Sequence, residues 1–278
     1  MKLSLIILNY KTALLTKYLL RYVTDMRLPF AYECIVVDND TDNKLADIMR
    51  EEFPQIVYIR TGGNIGYARG INRGSARAEG DYLLCLNTDI VIKAEAISGL
   101  AEFLDANPPV GIAGPGLFYP SGKLQYSCLR FPTPLTPLYR RTFFGLLPYA
   151  KITIDRYLMA GEDHREARRV DWLISSCIMV RRTLWKKLHG FDERYFVYFA
   201  DTDFCLRAYK DGGQEVWYVP AYSAVHYYRR ESAERSGLAG LCDKTTRIHI
   251  SDWLTYLRIH GLRMPYEGHN IRRFHREV

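Results

Sequence analysis

An α/β fold built on a largely parallel sheet is predicted by three observations. Through the first 115 residues, apolar runs of strand length alternate with segments whose apolar residues recur at helical spacing. Several of those runs stop abruptly on Asn or Asp, most clearly at Leu83-Leu84-Cys85-Leu86-Asn87-Thr88-Asp89. The β-α-β-α order also needs right-handed crossovers, which leave neighbouring strands parallel.

Residues 3–8 are the first strand, and Thr12 is placed to cap a helix whose apolar positions Leu15, Tyr18, Leu19, Tyr22 and Val23 recur at helical spacing. Residues 33–38 form a second strand ending in Asp38-Asn39-Asp40, followed by a short helix that stops near Pro54. Residues 55–59 are the third strand. Gly62-Gly63-Asn64-Ile65-Gly66 is a flexible loop before a helix with Ala68, Ile71, Asn72 and Ala76. A fourth strand at 81–86, a helix at 94–106 and a strand at 110–114 complete this half.

Beyond Phe118 the rhythm changes. Tyr119-Pro120-Ser121-Gly122 is a turn, and the three prolines of 131–137 cannot continue helix or strand. Residues 138–169 interleave Arg with apolar side chains, as a mobile or acceptor-facing insertion or an ordinary surface helix pair. An apolar run at 170–180 is broken by Ser175-Ser176. A helix near 183–188, the Gly190-Phe191-Asp192-Glu193 turn, a helix through 201–210 and strands near 215–219 and 223–227 follow. Residues 245–260 have helical spacing, and the tail is rich in Arg. No repeat or low-complexity linker divides the chain. The expected partition is a catalytic unit over 1–232, with halves 1–115 and 116–232, and a basic helical extension over 233–278.

Composition narrows the class. With 278 residues, 48% hydrophobic and 25% charged, the chain suits a globular protein with a sizeable core. No apolar stretch reaches the length that spans a bilayer, and the N-terminus reads as a strand, not a signal peptide. Six scattered cysteines lack metal-ligand spacing, so buried free thiols and a cytoplasmic setting are expected. The net charge of +7 favours polyanions such as nucleoside diphosphates or anionic headgroups. No motif supports nucleic acid.

In an open α/β sheet, ligands bind outside the carboxyl ends of the strands. Asp89 there is either a turn former or a ligand for a hard cation, with Asn87 adding a neutral oxygen. A dinucleotide fold would need G-x-G-x-x-G after the first strand, and Asn9-Tyr10-Lys11-Thr12 stands in that place.

The segments 4–10, 35–39, 63–74, 80–89, Gly114-Pro115 with 119–122, 170–173, 190–196, 201–207 and Val225-His226, in that order, resemble the family 2 glycosyltransferases of the GT-A fold. Within them the likeness is to the bacterial rhamnosyltransferase-like branch. The resemblance implies inverting transfer of a sugar from a dTDP- or UDP-linked donor to a glycan or lipid-linked acceptor, with Mg²⁺ or Mn²⁺. By that likeness Asp89 and His226 bind metal, while Asn9, Asp38, Asn64, Arg69, Asn72 and Asn87 line the donor site. Trp172, Asp192 and Glu193 meet sugar or acceptor, or else serve the core and a polar turn. Asp201 is the general base, kept ionised by the helix start it occupies.

One departure stands out: relatives usually carry Glu-Asp where this chain has Ala200-Asp201. It implies an altered acceptor preference or slower turnover, or else a catalytically impaired scaffold. The basic helical segment at 245–260 is expected to dock on the catalytic unit; the alternative is peripheral contact with the inner membrane face.

Overall fold

A computed structural model describes residues 2–227 and 243–262. The elements run β1 Leu3–Asn9, α1 Ala13–Thr24, β2 Tyr32–Asp38, α2 Lys44–Glu52, β3 Val57–Arg60, α3 Tyr67–Ser75, β4 Tyr82–Asn87 and β5 Ile90–Ile92. They continue with α4 Ala94–Ala106, β6 Val110–Phe118, β7 Leu124–Gln125, β8 Cys128–Leu129, α5 Thr136–Arg141, α6 Pro148–Tyr157, β9 Arg168–Arg169 and β10 Trp172–Leu173. β11 Cys177–Arg181, α7 Arg182–Lys187, α8 Ala200–Arg207, β12 Glu215–His226 and α9 Lys244–His260 follow among the described residues.

The main sheet has the order β3-β2-β1-β4-β11-β6-β12-β5. β1, β2, β3 and β4 pair in parallel, as do β6 and β12, whereas β11 lies antiparallel between β4 and β6. Alternate strand residues feed cores on both faces. Ile6, Ile35, Leu83, Cys85 and Ile178 join α3, α7, α8 and α9 on one side; Leu5, Ile7, Val36, Leu84 and Met179 join α1, α2 and α4 on the other. Burial on both faces is why the strands read as continuous apolar runs.

Several local expectations are corrected. Thr12 makes no side-chain cap; its hydroxyl bonds Asn9 instead. The face of α1 that enters the core is Thr16, Leu19, Leu20 and Val23, leaving Leu15, Tyr18 and Tyr22 exposed. Pro137 sits in the first turn of α5, where its missing N–H costs no helical bond, so the proline segment starts a helix. The strands expected at 215–219 and 223–227 are one strand, β12, whose register shifts between Val219 and Ser223 to absorb Pro220. Residues 138–157 form the surface helix pair α5 and α6, joined by a 3₁₀ turn.

Cys34, Cys85, Cys128, Cys177 and Cys205 are free and buried, and burial pushes the first three thiols up to about 12. Cys242 and the Arg-rich tail from Arg263 lie outside the described residues. Among the described residues no helix is long and apolar enough to cross a membrane.

Helix α9 docks rather than standing free. Tyr256 is buried, Asp252 bonds the 196–198 backbone, and His260 Nε2 meets Asp203 Oδ1 at 2.8 Å.

Candidate active site

The parallel registers align the carboxyl ends of the central strands. Asn9 pairs with Asp38, and Leu8 with Asn87, so three polar strand ends share one sheet edge. Asn9 and Asp38 are fully buried. Asn9 Nδ2 donates to Asp38 Oδ1 at 2.7 Å, Tyr58 donates to Oδ2 at 2.6 Å, and the Asp40 N–H adds a third bond. Asn39 bridges to the glycine loop by donating to the Gly66 carbonyl at 2.9 Å. Asn64 closes that loop by accepting from the Gly66 N–H at 3.0 Å.

Gly66 has φ +91°, and a Cβ there would lie 2.5 Å from the Phe196 carbonyl oxygen. Only glycine fits both the backbone and the space. Gly66→Ala is expected to lower unfolding stability by about 1–3 kcal/mol, read from urea denaturation, because either the loop or the Phe196 segment must move.

At the same sheet edge β12 returns beside β5, with His226 paired to Ile90. His226 Nε2 lies 3.4 Å from Asp89 Oδ2, and its Nδ1 is 2.9 Å from Gln125 Oε1 on β7. With Nδ1–H turned to Gln125, the other ring nitrogen faces the carboxylate, an oxygen–nitrogen donor pair for a divalent cation. His226 is buried and Asp89 about a quarter exposed, so the pair opens toward solvent on the aspartate side.

Asp201 joins this edge through the Ser175-Ser176 turn between β10 and β11. The Ser176 carbonyl accepts from the Asn87 N–H at 2.9 Å, and the Ser175 N–H and hydroxyl donate to Asp201 Oδ2 at 3.2 and 3.3 Å. Thr202 N–H holds Oδ1 at 2.9 Å. The end of β4, two residues before Asp89, and the carboxylate on α8 are thus tied to one turn.

The family profile described as Glycosyl transferase family 2 matches residues 4–188. The chain belongs to glycosyltransferase family 2. It is 28% identical over 239 residues to N-acetylglucosaminyl-diphospho-decaprenol L-rhamnosyltransferase of Mycobacterium tuberculosis, covering 78% of this chain and 74% of the relative. It is 26% identical over 235 residues to Rhamnosyltransferase WbbL of Escherichia coli K12, covering 81% and 82%. The fold is also that of a mannosyltransferase, PcManGT of Pyrobaculum calidifontis, solved with GDP-Man and Mn²⁺ (TM-score 0.55, 14% identity, 95% of this chain and 72% of the other). GalNAc-T7, solved with UDP, GalNAc and Mn²⁺, shares it too (TM-score 0.63, 14% identity, 93% and 48%). This glycosyltransferase therefore has the GT-A architecture.

Other predicted site residues of the glycosyltransferase are engaged with one another. Asn72 clamps the Phe191 backbone from both sides of its amide, at 2.8 and 2.9 Å, and also donates to Glu193. Arg69 lies 3.6 Å from Glu193, and Arg194 binds both Asp192 oxygens. Asn72, Asp192, Glu193 and Arg207 line an open cavity of about 320 Å³ to which neither Asp89 nor Asp201 contributes. Trp172 is corrected to a core residue: it is 7% exposed, its indole donates to the Arg130 carbonyl, and its ring packs 6.2 Å from Tyr157. Stacking on a sugar needs an open ring face.

The helix start is expected to lower the Asp201 carboxyl, and that direction is corrected. Burial raises its carboxyl above the ordinary aspartate value, and the hydrogen bonds from Ser175 and Thr202 oppose that shift without cancelling it. Sequence reasoning missed Gln125, Tyr58, Ser175 and Asp252. Only Ser175 left a local signal, as the polar break in an apolar run.

Proposed function

We propose that this glycosyltransferase moves rhamnose, with inversion, from a nucleoside diphosphate donor to a hydroxyl of a lipid-linked acceptor in assembly of a bacterial surface polysaccharide. dTDP-rhamnose is the first donor to test. The rhamnosyl and lipid-linked parts rest on the two named relatives, one of whose names includes a decaprenyl diphosphate acceptor. The observation that carries the site is the Asp89–His226 pair at the ends of β4 and β12, with the end of β4 tied through the Ser175-Ser176 turn to Asp201.

Inversion requires one displacement. The acceptor oxygen bonds the anomeric carbon as the bond from that carbon to the diphosphate oxygen breaks, and the electron pair leaves with the nucleoside diphosphate. The acceptor proton passes to Asp201, whose Oδ1 and Oδ2 are held by Thr202 and Ser175. Asp89 and His226, with Asn87 near them in β4, would hold Mn²⁺ or Mg²⁺, which when bound would supply Lewis-acid neutralisation of charge on the leaving diphosphate. Gln125 fixes the imidazole, so His226 keeps one nitrogen aimed at the site. Asp38 and Asn9, buried against each other, act on the donor by fixing the loops after β1 and β2. Asn64 shapes the glycine loop that approaches it. Arg69 is more than half exposed and is the side chain best placed to leave Glu193 for a phosphate or ribose.

Calorimetric titration with dTDP, UDP and GDP, with and without Mn²⁺, tests the site. Wild type is expected to bind one nucleotide in a metal-dependent manner, and Asp89→Ala to weaken it at least tenfold. Binding that is indifferent to metal in both proteins would remove the Asp89–His226 assignment.

A further inference from the structure

We infer that the α5–α6 helical pair is a surface that seats this protein on an anionic lipid bilayer. Four of the five most exposed large apolar side chains among the described residues cluster there: Leu146 at 86%, Phe143 at 74%, Tyr149 at 72% and Ile152 at 67%. Leu147 is exposed beside them, and Phe143 stacks on its neighbour Phe144 with centroids 4.3 Å apart. An apolar projection of this kind on a water-facing surface marks an interaction site.

Charge identifies the partner. The pair and its connection, residues 136–157, carry Arg140, Arg141, Lys151 and Arg156 against a single carboxylate, Asp155. Arg140 and Lys151 lie exposed on the two helices that carry the apolar tip. A protein partner of ordinary mixed charge would not call for this four-to-one excess of basic side chains. An anionic bilayer does: aromatic and aliphatic side chains enter the headgroup boundary while basic side chains pair with phosphates above them.

The surface also adjoins the reaction edge. The Arg140 guanidinium stacks on Tyr157, and that of Arg141 lies 5.8 Å from the Tyr198 ring, in the loop that leads to Asp201. A lipid-linked acceptor entering from the bilayer would arrive beside that loop. This purpose rests on the proposed transfer reaction, whereas the surface and its test do not. The membrane contact considered for 245–260 thereby moves to another element, because α9 spends Asp252, Tyr256 and His260 on the protein itself.

Co-sedimentation of the full chain with phosphatidylethanolamine–phosphatidylglycerol vesicles, and with phosphatidylcholine vesicles, tests the surface in the absence of any donor. Wild type is expected to bind the anionic vesicles, less at high salt, and to bind the neutral ones weakly. Leu146→Ser/Leu147→Ser, with unchanged thermal unfolding, and, separately, Arg140→Glu/Lys151→Glu are each expected to weaken binding about tenfold or more. Absence of binding to anionic vesicles at low salt would overturn the inference. So would wild-type binding in both double variants, which would put the contact elsewhere on the chain. A dimer in light scattering that Leu146→Ser/Leu147→Ser dissociates, without vesicle binding, would assign the surface to a second copy instead. Loss of nucleotide binding in the calorimetric test would leave every one of these outcomes readable.

Discussion

Asp201→Asn is expected to reduce the transfer rate by about 10²–10⁴-fold while metal-dependent nucleotide binding stays within about twofold of wild type. Asn keeps an oxygen for the Thr202 or Ser175 donors but cannot take the acceptor proton. The pH dependence gives a second readout. Burial raises the Asp201 carboxyl above the ordinary aspartate value, so the base is protonated and idle over a wider acidic range. The acid limb of kcat/KM should therefore lie above the range of an exposed aspartate and vanish from the residual activity of the variant. The stability sign runs the opposite way. A carboxyl whose pKa is raised by folding favours the native state at low pH, and that contribution is lost as pH rises through the raised value. Above the raised value the ionised group weighs against the fold; Asp201→Asn removes that burden but leaves either the Thr202 or the Ser175 donors without an acceptor. A scaffold that had lost catalysis with the change at Ala200 would have no rate to lose, and the variant would then equal wild type. Ala200 is fully buried, in the core cluster that also holds Phe204.

What was legible in the sequence is what local pattern encodes. Strands covered on both faces must be apolar along their length, and they end where the sheet meets solvent, so β1, β2 and β4 and their terminal Asn9, Asp38 and Asn87 stood out. Helix α4 was placed at its observed bounds because Leu100 and Leu104 keep one clean apolar face. Helix α1 misled because Leu15, Tyr18 and Tyr22 repeat at helical spacing on its outer side, and periodicity does not say which of two stripes is inside. β5 was missed because three residues are too few to show alternation.

At the site, Asp89 and His226 were paired by resemblance, and the structure brings them to 3.4 Å. The roles of Asn72 and Glu193 were not legible, since their partners lie about 120 residues from one another in the chain. Gln125 escaped for the same reason: a glutamine in a two-residue strand carries no mark of the histidine it orients 101 residues away.

Asp252 is the most consequential of these silent residues, and its removal should slow transfer about 10²-fold. Its carboxylate, 2% exposed on α9, accepts from three consecutive backbone N–H groups: Phe196 at 3.0 Å, Val197 at 2.9 Å and Tyr198 at 2.8 Å. The next residue, Phe199, is held in the left-handed region at φ +64° and opens α8, whose second residue is the proposed base. Such a backbone is uphill by about 1–3 kcal/mol for a non-glycine residue and persists only where its surroundings enforce it. From the other side the Phe196 carbonyl accepts from Tyr67 at 2.6 Å, so the segment is fastened between the glycine loop and α9. Asp252→Ala leaves three part-buried donors without their acceptor, for a cost of about 3 kcal/mol at the low end of one per group. For a chain of this size that lowers the melting midpoint by roughly 5–10 °C. A displacement of the base by about 1 Å is enough for the 10²-fold loss. Because Asp252 acts through position, kcat should fall while nucleotide affinity and the acid limb of the pH profile stay in place. Asp252→Asn, which retains one acceptor oxygen for part of the set, should recover some of both rate and stability. A variant that melts lower yet turns over at the wild-type rate below its transition would reduce Asp252 to a structural clasp.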